Sequence, residues 1–317
     1  MVSRERSGAT SIGLALVLVT ALVSGVSTFV NLYAVAGTNS DAFVTVRNLV
    51  TALFLVPIAL LAGRGLAGPL RRVDWGRLAL IGLLGGAIPF LLFFRGIELA
   101  TAAGGGATAS FVYRTLFLMA TVFGVVALRE RFRARVTIAA VLLLGGNLLL
   151  LSLTSPLWTN GTAYVFAATV LWAVEYSISR RALRDLSGPT VALGRMGFGA
   201  GFLVVYLALT AQLGAAASLS GGQWEWVMLS ALLLTAFVLT WYTGLRQVEL
   251  SVATSVLVLG FPLTWLLTVS LAGAPLTVAQ VAGAVVVAAG VAVAIGRSAI
   301  RDAWSDLVRA TRSRRPA

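Results

Sequence analysis

The chain has 317 residues, of which 59% are apolar and only 11% are charged, with a net charge of +13 and no His, Cys or Lys. Since soluble domains carry about 25% charged residues, this composition excludes a water-soluble globule. The missing residue types exclude imidazole bases, cysteine nucleophiles, disulfides, Cys/His metal sites and the P-loop lysine of ATP-driven proteins. We therefore expect an all-α integral membrane protein that is not an enzyme and needs no cofactor.

Apolar runs separated by turn-forming residues predict ten membrane-spanning helices, because one span needs about 20 mostly apolar residues. Two charge-free runs are too long for one span, and each is interrupted, at Ser155-Pro156 and at Gly273-Ala274-Pro275. Buried helices of a soluble protein would need polar outer faces, which these segments lack. The predicted spans are 11–34, 41–63, 77–96, 104–128, 135–153, 160–180, 189–210, 223–245, 250–271 and 276–296.

The arginines predict how these spans are oriented. With the N-terminus in the cytoplasm, 20 of the 24 arginines lie in cytoplasmic segments, Arg95 lies outside, and Arg47, Arg114 and Arg195 fall within spans. Cytoplasmic loops of membrane proteins carry such an excess. We therefore predict a multi-pass plasma-membrane protein with both termini in the cytoplasm and no nucleic-acid partner.

Four segments follow from this reading. Residues 1–10 form a cytoplasmic N-terminal segment, 11–153 a first five-helix unit and 160–296 a second. Residues 297–317 form a basic tail, in which Ile300, Trp304, Leu307 and Val308 recur with helical spacing. This pattern is typical of a short amphipathic helix on the inner leaflet, which would fix the C-terminus.

The two five-helix units form an internal repeat. Different shifts along the chain align residues of the same type: 148 residues for Gly13 with Gly161 and Arg47 with Arg195, 151 for Glu98 with Glu249, and 144 for Phe117 with Phe261 and Gly146 with Gly290. Because five is an odd number, the second unit must cross the membrane upside down. Inverted repeats are a common architecture of secondary transporters, with the substrate site near the midplane.

Several short motifs occur along the chain in a fixed order relative to the predicted spans. They are the second-span arginine of each half, the run Gly85-Gly86-Ala87-Ile88-Pro89-Phe90, the turn Leu128-Arg129-Glu130-Arg131-Phe132, and Phe261-Pro262. With them the chain resembles ten-helix, EamA-type members of the drug/metabolite transporter superfamily over about residues 10–296. The resemblance implies a carrier with a central cavity that exports or exchanges small metabolites.

The two copies also depart from each other at these motifs. The second copy has Ala274-Pro275-Leu276 where the first has Glu130-Arg131-Phe132, and the first copy has no proline that matches Pro262.

Four charged residues lie inside predicted spans, where each costs about 2.5–3.5 kcal/mol at a helix centre. Arg114 is predicted to bind an anionic group of the substrate, although backbone carbonyls or the membrane surface are alternative partners. Glu175 and Arg195 lie in adjacent antiparallel spans and are expected to form an ion pair. That pair is either a structural clasp or a proton-responsive gate, and we assign Arg47 to the same gating or coupling group.

Aromatic and amide side chains supply the remaining candidates for substrate binding. An aromatic ring with one polar tip suits an amphipathic ligand, whereas packing or an interfacial belt is the alternative explanation. The candidates are Trp172, Tyr176, Trp241, Tyr242 and Asn31.

The resulting hypothesis is a secondary carrier, an exporter or exchanger that moves a small anionic or zwitterionic metabolite by alternating access. Its expected partners are the small-molecule substrate, the lipid bilayer and coupling protons. The alternatives are a translocator of an anionic lipid headgroup, which would have a cavity open to lipid, and a non-transporting scaffold or sensor, which would lack a continuous polar cavity.

Overall fold

A computed structural model of the protein describes residues 2–34, 38–66, 70–130, 134–151, 158–273 and 276–296. Every regular element in these ranges is a helix. The predicted amphipathic tail at 297–317 lies outside the described residues. The elements are α1 (Val2–Ala34), α2 (Ser40–Leu66), α3 (Arg72–Ile81), a π-helical turn (Gly82–Ala87), α4 (Ile88–Ala102), α5 (Gly106–Arg114), α6 (Leu116–Leu128), α7 (Ala134–Leu151), α8 (Asn160–Ala182), α9 (Gly188–Leu209), α10 (Leu213–Ala217), α11 (Gly221–Leu245), α12 (Leu250–Leu257), α13 (Gly260–Ala272) and α14 (Val278–Ile295).

Within the described ranges, nine helical segments are long and apolar enough to cross a membrane. Three of them combine several helical pieces: Arg72–Ala102 contains α3, the π-helical turn and α4, Thr108–Leu128 contains α5 and α6, and Leu250–Leu271 contains α12 and α13. The prediction of an all-α membrane protein is therefore confirmed. The sixth predicted span corresponds to α8, which has 23 residues but carries more polar side chains, including Asn160 and Glu175. The total of ten spans therefore stays a prediction.

Apolar side chains cover much of the outer surface of the bundle. Leu61 is 69% exposed, Val126 73% and Leu209 82%. In water such extended apolar surface would drive association, whereas hydrocarbon solvates it without cost. The exposed leucines and valines therefore face the acyl chains of the bilayer.

The contacts between helices follow the internal repeat. Helices α1, α2, α3–α4, α5–α6 and α7 form the first unit, and α8, α9, α11, α12–α13 and α14 form the second. Helix α1 packs on α11 as α8 packs on α4, and α1 packs on α13 as α8 packs on α6. Helices α2 and α9 pack on each other, and so do α7 and α14. Exchanging the two units thus reproduces the main helix contacts, as a two-fold relation requires.

Contacts at glycines show which residues of the two units correspond to each other. A β-carbon at Gly96 would lie 2.8 Å from the carbonyl oxygen of Gly161, and one at Gly244 would lie 3.0 Å from the carbonyl oxygen of Gly13. A shift of 148 residues relates the two pairs, so the same close backbone crossing occurs once in each half. That shift holds through α4 and α11.

Beyond α4 the shift becomes 144 residues. Helix α5 begins at Gly106 and α12 at Leu250. Helices α6 and α13 end at the left-handed residues Arg129 and Gly273, with φ of 57° and 68°. The predicted alignment of Glu98 with Glu249 at a shift of 151 is therefore wrong. Between Gly96 and the start of α5, the first unit therefore has four more residues than the second unit has between Gly244 and the start of α12, and α4 is correspondingly longer at its end.

The contact between α7 and α14 depends on glycine in the same way. A β-carbon at Gly146 would lie 2.8 Å from the carbonyl oxygen of Gly283 and 2.9 Å from the backbone nitrogen of Val287. The preceding residue, Gly145, has no atom within 4 Å of such a position. The two adjacent glycines therefore differ in the space that each has for a methyl group.

We expect Gly146→Ala to lower the free energy of unfolding by about 1–3 kcal/mol, because the added methyl group would overlap backbone atoms of α14. Gly145→Ala is the matched control and should leave stability unchanged or raise it by up to about 1 kcal/mol, since alanine favours the helix. Thermal unfolding in detergent measures both. Equal unfolding temperatures for the two variants would contradict the close packing of α7 on α14.

Candidate functional site

The third span contains a π-helical turn, and Pro89 explains where its carbonyls point. Proline has no N–H group and its ring conflicts with the carbonyl four residues earlier, which here belongs to Gly85. That carbonyl is released from the helical ladder. Buried backbone oxygens need a hydrogen-bond donor, especially in an apolar bundle.

Two side chains from other spans supply donors to this carbonyl. The indole nitrogen of Trp172 donates to the Gly85 oxygen at 3.1 Å, and Nη2 of Arg195 donates to the same oxygen at 3.0 Å. The amide of Asn48 donates to the next carbonyl, that of Gly86, at 3.0 Å. The turn thus joins α2, α8 and α9 at one point in the core.

Small residues make this close approach possible. A β-carbon at Gly85 would lie 2.7 Å from Cγ of Glu175, and one at Gly86 would overlap the carbonyl oxygen of Arg195. The Gly85-Gly86 pair is therefore required by the packing of α8 and α9 against the turn.

Glu175 and Arg195 lie in contact, as their spacing predicts. Arg195 Nη1 is 3.7 Å from Glu175 Oε2, and both side chains are almost completely buried. Glu175 Oε1 accepts hydrogen bonds from the hydroxyl of Tyr242, at 2.8 Å, and from that of Ser179. Arg195 Nη1 also donates to the Tyr242 oxygen at 3.1 Å. The result is one buried network across α8, α9 and α11.

Arg47 has a different environment from Arg195. Its side chain is buried, with the residue 2% exposed. Its Nε and Nη2 donate to Oδ1 of the neighbouring Asn48 at 3.3 and 3.1 Å, and its guanidinium lies 4.9 Å from the centre of the Phe90 ring. No carboxylate of a described residue lies within 4 Å of it. Arg47 is thus a buried cation whose contacts are neutral groups.

Arg114 lies where the fourth span is broken. It is the last residue of α5, and a cation is favoured at the C-terminal end of a helix. Its guanidinium is 4.2 Å from the centre of the Phe261 ring. A cavity of about 30 Å³ beside it is lined by residues of α1, of the fourth span and of the broken ninth span, among them Ser24 and Thr254. Broken helices near the midplane are typical of transporter substrate sites.

The four aromatic candidates are buried in this conformation. Trp172 and Tyr242 take part in the networks described above, and Tyr176 packs on Trp241 with ring centres 4.7 Å apart. None of the four is among the residues that line the cavity beside Arg114. Asn31 is half-buried, and its side-chain oxygen accepts a hydrogen bond from Ser230 at 2.7 Å.

Sequence reasoning missed several members of this site. Asn48 and Ser179 are neutral residues next to charged ones, and a search restricted to charges does not find them. The two glycines of the π-helical turn were noted only as a family motif. The signal for their role is Pro89, four residues after Gly85, because it predicts a free carbonyl at that glycine.

A large cavity opens at one end of the bundle. Its volume is about 700 Å³, and its lining includes Asp41, Leu91, Phe94, Arg95 and Glu98. The side chains of Arg95 and Glu98 are 57% and 62% exposed, so the cavity meets the surface. Asp41 lies six residues before Arg47 on α2, which is about 9 Å along a helix. We call this the cavity end of the protein.

The opposite end carries most of the described arginines outside the spans, and polar contacts link its helices. We call it the basic end. Arg77 Nη1 contacts the carboxylate of Asp185 at 3.0 Å, and Arg180 donates to the carbonyl of Arg246 at 3.3 Å. These contacts tie α3, α8 and α11 together.

Glu130 makes the strongest link at the basic end. Its carboxylate accepts hydrogen bonds from the backbone nitrogens of Leu250, at 2.6 Å, and Ser251, at 3.1 Å, and from the Ser251 hydroxyl at 2.8 Å. A carboxylate stabilises a helix N-terminus, here that of α12. Arg129, in the left-handed conformation, turns the chain so that Glu130 reaches it. The residue equivalent to Glu130 in the second unit is Ala274, so the repeat supplies this acid only once.

Comparisons with known proteins agree with this architecture. The profile of the EamA-like transporter family matches residues 11–152 and 159–296. No curated protein matches the sequence. One solved structure, described only as "Crystal structure of protein", is 22% identical with a TM-score of 0.71, and the match covers 91% of this chain and 98% of that chain. At this identity the likeness concerns the fold alone.

We expect Glu130→Ala to favour opening of the basic end. A cysteine introduced at Ser255, which is 3% exposed on α12, should then react with a maleimide roughly tenfold faster, because hydrogen bonds to a charged group contribute about 1.5–3 kcal/mol. The chain has no natural Cys, so the label reports this position alone. Glu225→Ala, at an exposed position of α11, is the control and should leave the rate unchanged. Equal maleimide reaction rates in the two variants would contradict the idea that Glu130 acts as a latch, that is, that its hydrogen bonds to α12 hold the basic end together.

Proposed function

Because the chain belongs to the EamA-like transporter family, whose members are membrane transporters of small solutes, we propose that it is a secondary carrier for an anionic or zwitterionic metabolite. It works as an exporter or exchanger by alternating access to a site between its two repeats. The distribution of arginines supports a plasma-membrane location with the basic end in the cytoplasm.

The observation that carries the proposal is the difference between the two ends. A cavity of about 700 Å³ opens at the cavity end, whereas Glu130 and the Arg77–Asp185 pair link helices to each other at the basic end. A carrier needs a conformation that is open on one side only. Breaking the contacts at the basic end while closing the cavity end would give the second conformation of the cycle.

The charges in the core support a substrate that carries an anionic group. Three guanidinium groups, those of Arg47, Arg114 and Arg195, lie in the interior of the spans together with the carboxylate of Glu175. Only Arg195 contacts that carboxylate within 4 Å. Buried charges are costly when unpaired. A substrate carboxylate or phosphate would lower this cost, and arginine binds both groups well.

Glu175 is the candidate for coupling to protons. It is 0% exposed and bonds to Tyr242 and Ser179 through Oε1, while Oε2 has no hydrogen-bond partner among the described residues. Separation of α8 from α9 would remove Arg195 from Oε2 and favour protonation of the carboxylate. Return of Arg195 would release the proton. Proton binding and release would thereby be coupled to the change between the two access states.

We expect Glu175→Gln to abolish proton-driven accumulation and to retain substrate exchange. The amide can keep its oxygen at the position that Tyr242 and Ser179 contact and place its NH₂ group at the position of Oε2, so the shape is preserved while titration is lost. Transport into proteoliposomes with and without a pH gradient measures both activities. A purely structural pair would instead give an unstable Glu175→Gln protein that Arg195→Gln restores. Unchanged pH dependence in folded protein would contradict the coupling role.

Transport itself is tested with proteoliposomes that contain an unlabelled metabolite extract and are placed in an isotope-labelled one. The wild-type protein should exchange a small set of anionic or zwitterionic solutes, identified by mass spectrometry.

Arg114→Ala should reduce exchange at least about 100-fold, because loss of a buried ionic contact costs about 3–5 kcal/mol. Arg114→Lys should retain partial activity, since it keeps the charge but loses the planar fork. Normal exchange by folded Arg114→Ala would contradict the anion site. Movement of labelled lipid alone would favour the lipid alternative.

A further inference from the structure

The repeat relation allows the environments of Arg47 and Arg195 to be compared position by position. The shift of 148 residues pairs these two arginines, and it also pairs Gly13 with Gly161 and Gly96 with Gly244, whose backbone contacts correspond. The same shift therefore applies to the residues around the two guanidinium groups. It relates Trp172 to Ser24, Glu175 to Ser27, Ser179 to Asn31 and Tyr242 to Phe94.

A contact within α1 agrees with this pairing. In the second unit, the side chain of Ser179 donates to that of Glu175 one helical turn earlier. In the first unit, the amide of Asn31 donates to the hydroxyl of Ser27 at 3.4 Å, at the equivalent pair of positions. Both contacts join residues four positions apart on one helix, but only the second unit has a carboxylate there.

The carboxylate and its main neighbours are therefore absent from the first unit. Serine replaces both Glu175 and Trp172, so the first unit has smaller side chains at these two positions. Phenylalanine replaces Tyr242, and this Phe94 lines the large cavity. Ser24, which replaces Trp172, lines the cavity beside Arg114. The half-site at Arg47 thus keeps the cation and lacks its anion.

From these differences we infer that Arg47 binds the carboxylate group of the transported solute, at the position where the second unit carries Glu175. This inference rests on the proposed transport function and names the chemical class of its substrate. Ser27 and Asn31 replace Glu175 and Ser179, and they provide a hydroxyl and an amide to hold the second carboxylate oxygen. Glu175 then acts as a built-in copy of the substrate group, which neutralises Arg195.

The position of the subsite fits access from the cavity end. Asp41 and Phe94 line the open cavity, and Arg47 lies about 9 Å deeper along α2 than Asp41. Phe90, which packs against the Arg47 guanidinium, follows Pro89 and the π-helical turn. A shift of this turn would uncover Arg47 toward the cavity. Of the two equivalent arginines, only Arg47 is expected to bind a solute carboxylate, since Arg195 already has its anion.

A double-mutant cycle tests the subsite without a known substrate. Ser27→Glu introduces a carboxylate at the position equivalent to Glu175. It should raise the unfolding temperature when Arg47 is present and lower it in the Arg47→Gln background, because the new charge then lies within a span without a partner. Ser27→Gln has the same shape without charge and should show no such change of sign. Equal effects of Ser27→Glu in both backgrounds would overturn the inference.

Ligand binding gives the second test. Acetate and benzoate, each compared with its neutral amide, should raise the unfolding temperature of the purified full chain more than the amide does. Arg47→Gln should weaken carboxylate binding about tenfold or more, and Ser27→Glu should abolish it because the site is filled internally. Ser27→Gln should retain binding. The inference fails if neither carboxylate stabilises the wild type beyond its amide, if Arg47→Gln binds as the wild type does, or if inorganic phosphate stabilises the protein and the carboxylates do not.

These results separate failure of the subsite from failure of the transport function. Solute exchange by wild-type proteoliposomes with no coupling between positions 27 and 47 would leave the carrier intact and remove the subsite. Coupling and carboxylate binding without any exchange would support an anion site in a protein that does not transport.

Discussion

The guanidinium of Arg195 is the interaction on which the core of the structure depends. It donates to the Gly85 carbonyl, contacts Glu175 and donates to Tyr242, and so it connects the third, sixth, seventh and eighth spans. A charge in an apolar bundle is tolerated only when such partners surround it. The partner on the third span exists because Pro89 removes one hydrogen bond from the helix. A local defect in one helix thus supplies the acceptor that Trp172 of α8 and Arg195 of α9 share.

The two repeats have kept their packing and changed their chemistry. Glycine pairs preserve the crossing of α1 with α11 and of α8 with α4, because a β-carbon at these positions would come too close to atoms of the facing segment. Polar positions are not constrained in this way. The carboxylate of Glu175 corresponds to Ser27, and Glu130 corresponds to Ala274. Both differences place an acid in one half only, so the two ends of the protein and the two arginine sites are chemically distinct.

These asymmetries have a direct bearing on alternating access. In an inverted repeat of identical units, the two access states would have equal energy, since each is the other turned over. Glu130 accepts hydrogen bonds at the basic end, and the equivalent residue of the second unit, Ala274, has no carboxylate that could do the same. This difference favours the conformation described here. A carrier must nevertheless reach both states, so the latch has to be weak enough to open. Three hydrogen bonds to one helix end meet that condition, because water can solvate the N-terminal groups of α12 once this end has opened.

The sequence alone determined the all-helical membrane fold, the family and the order of the repeats, because apolar length, arginine position and motif order are local properties of a chain. It also predicted the contact between Glu175 and Arg195 from their depth in adjacent spans. The tertiary structure decided what surrounds each charge. The acceptor for Arg195 is a backbone carbonyl from a distant span, and the neutral contacts of Arg47 depend on how α2 packs on the π-helical turn. Such contacts join residues that are far apart in sequence, and only the packed bundle specifies which backbone and side-chain groups meet.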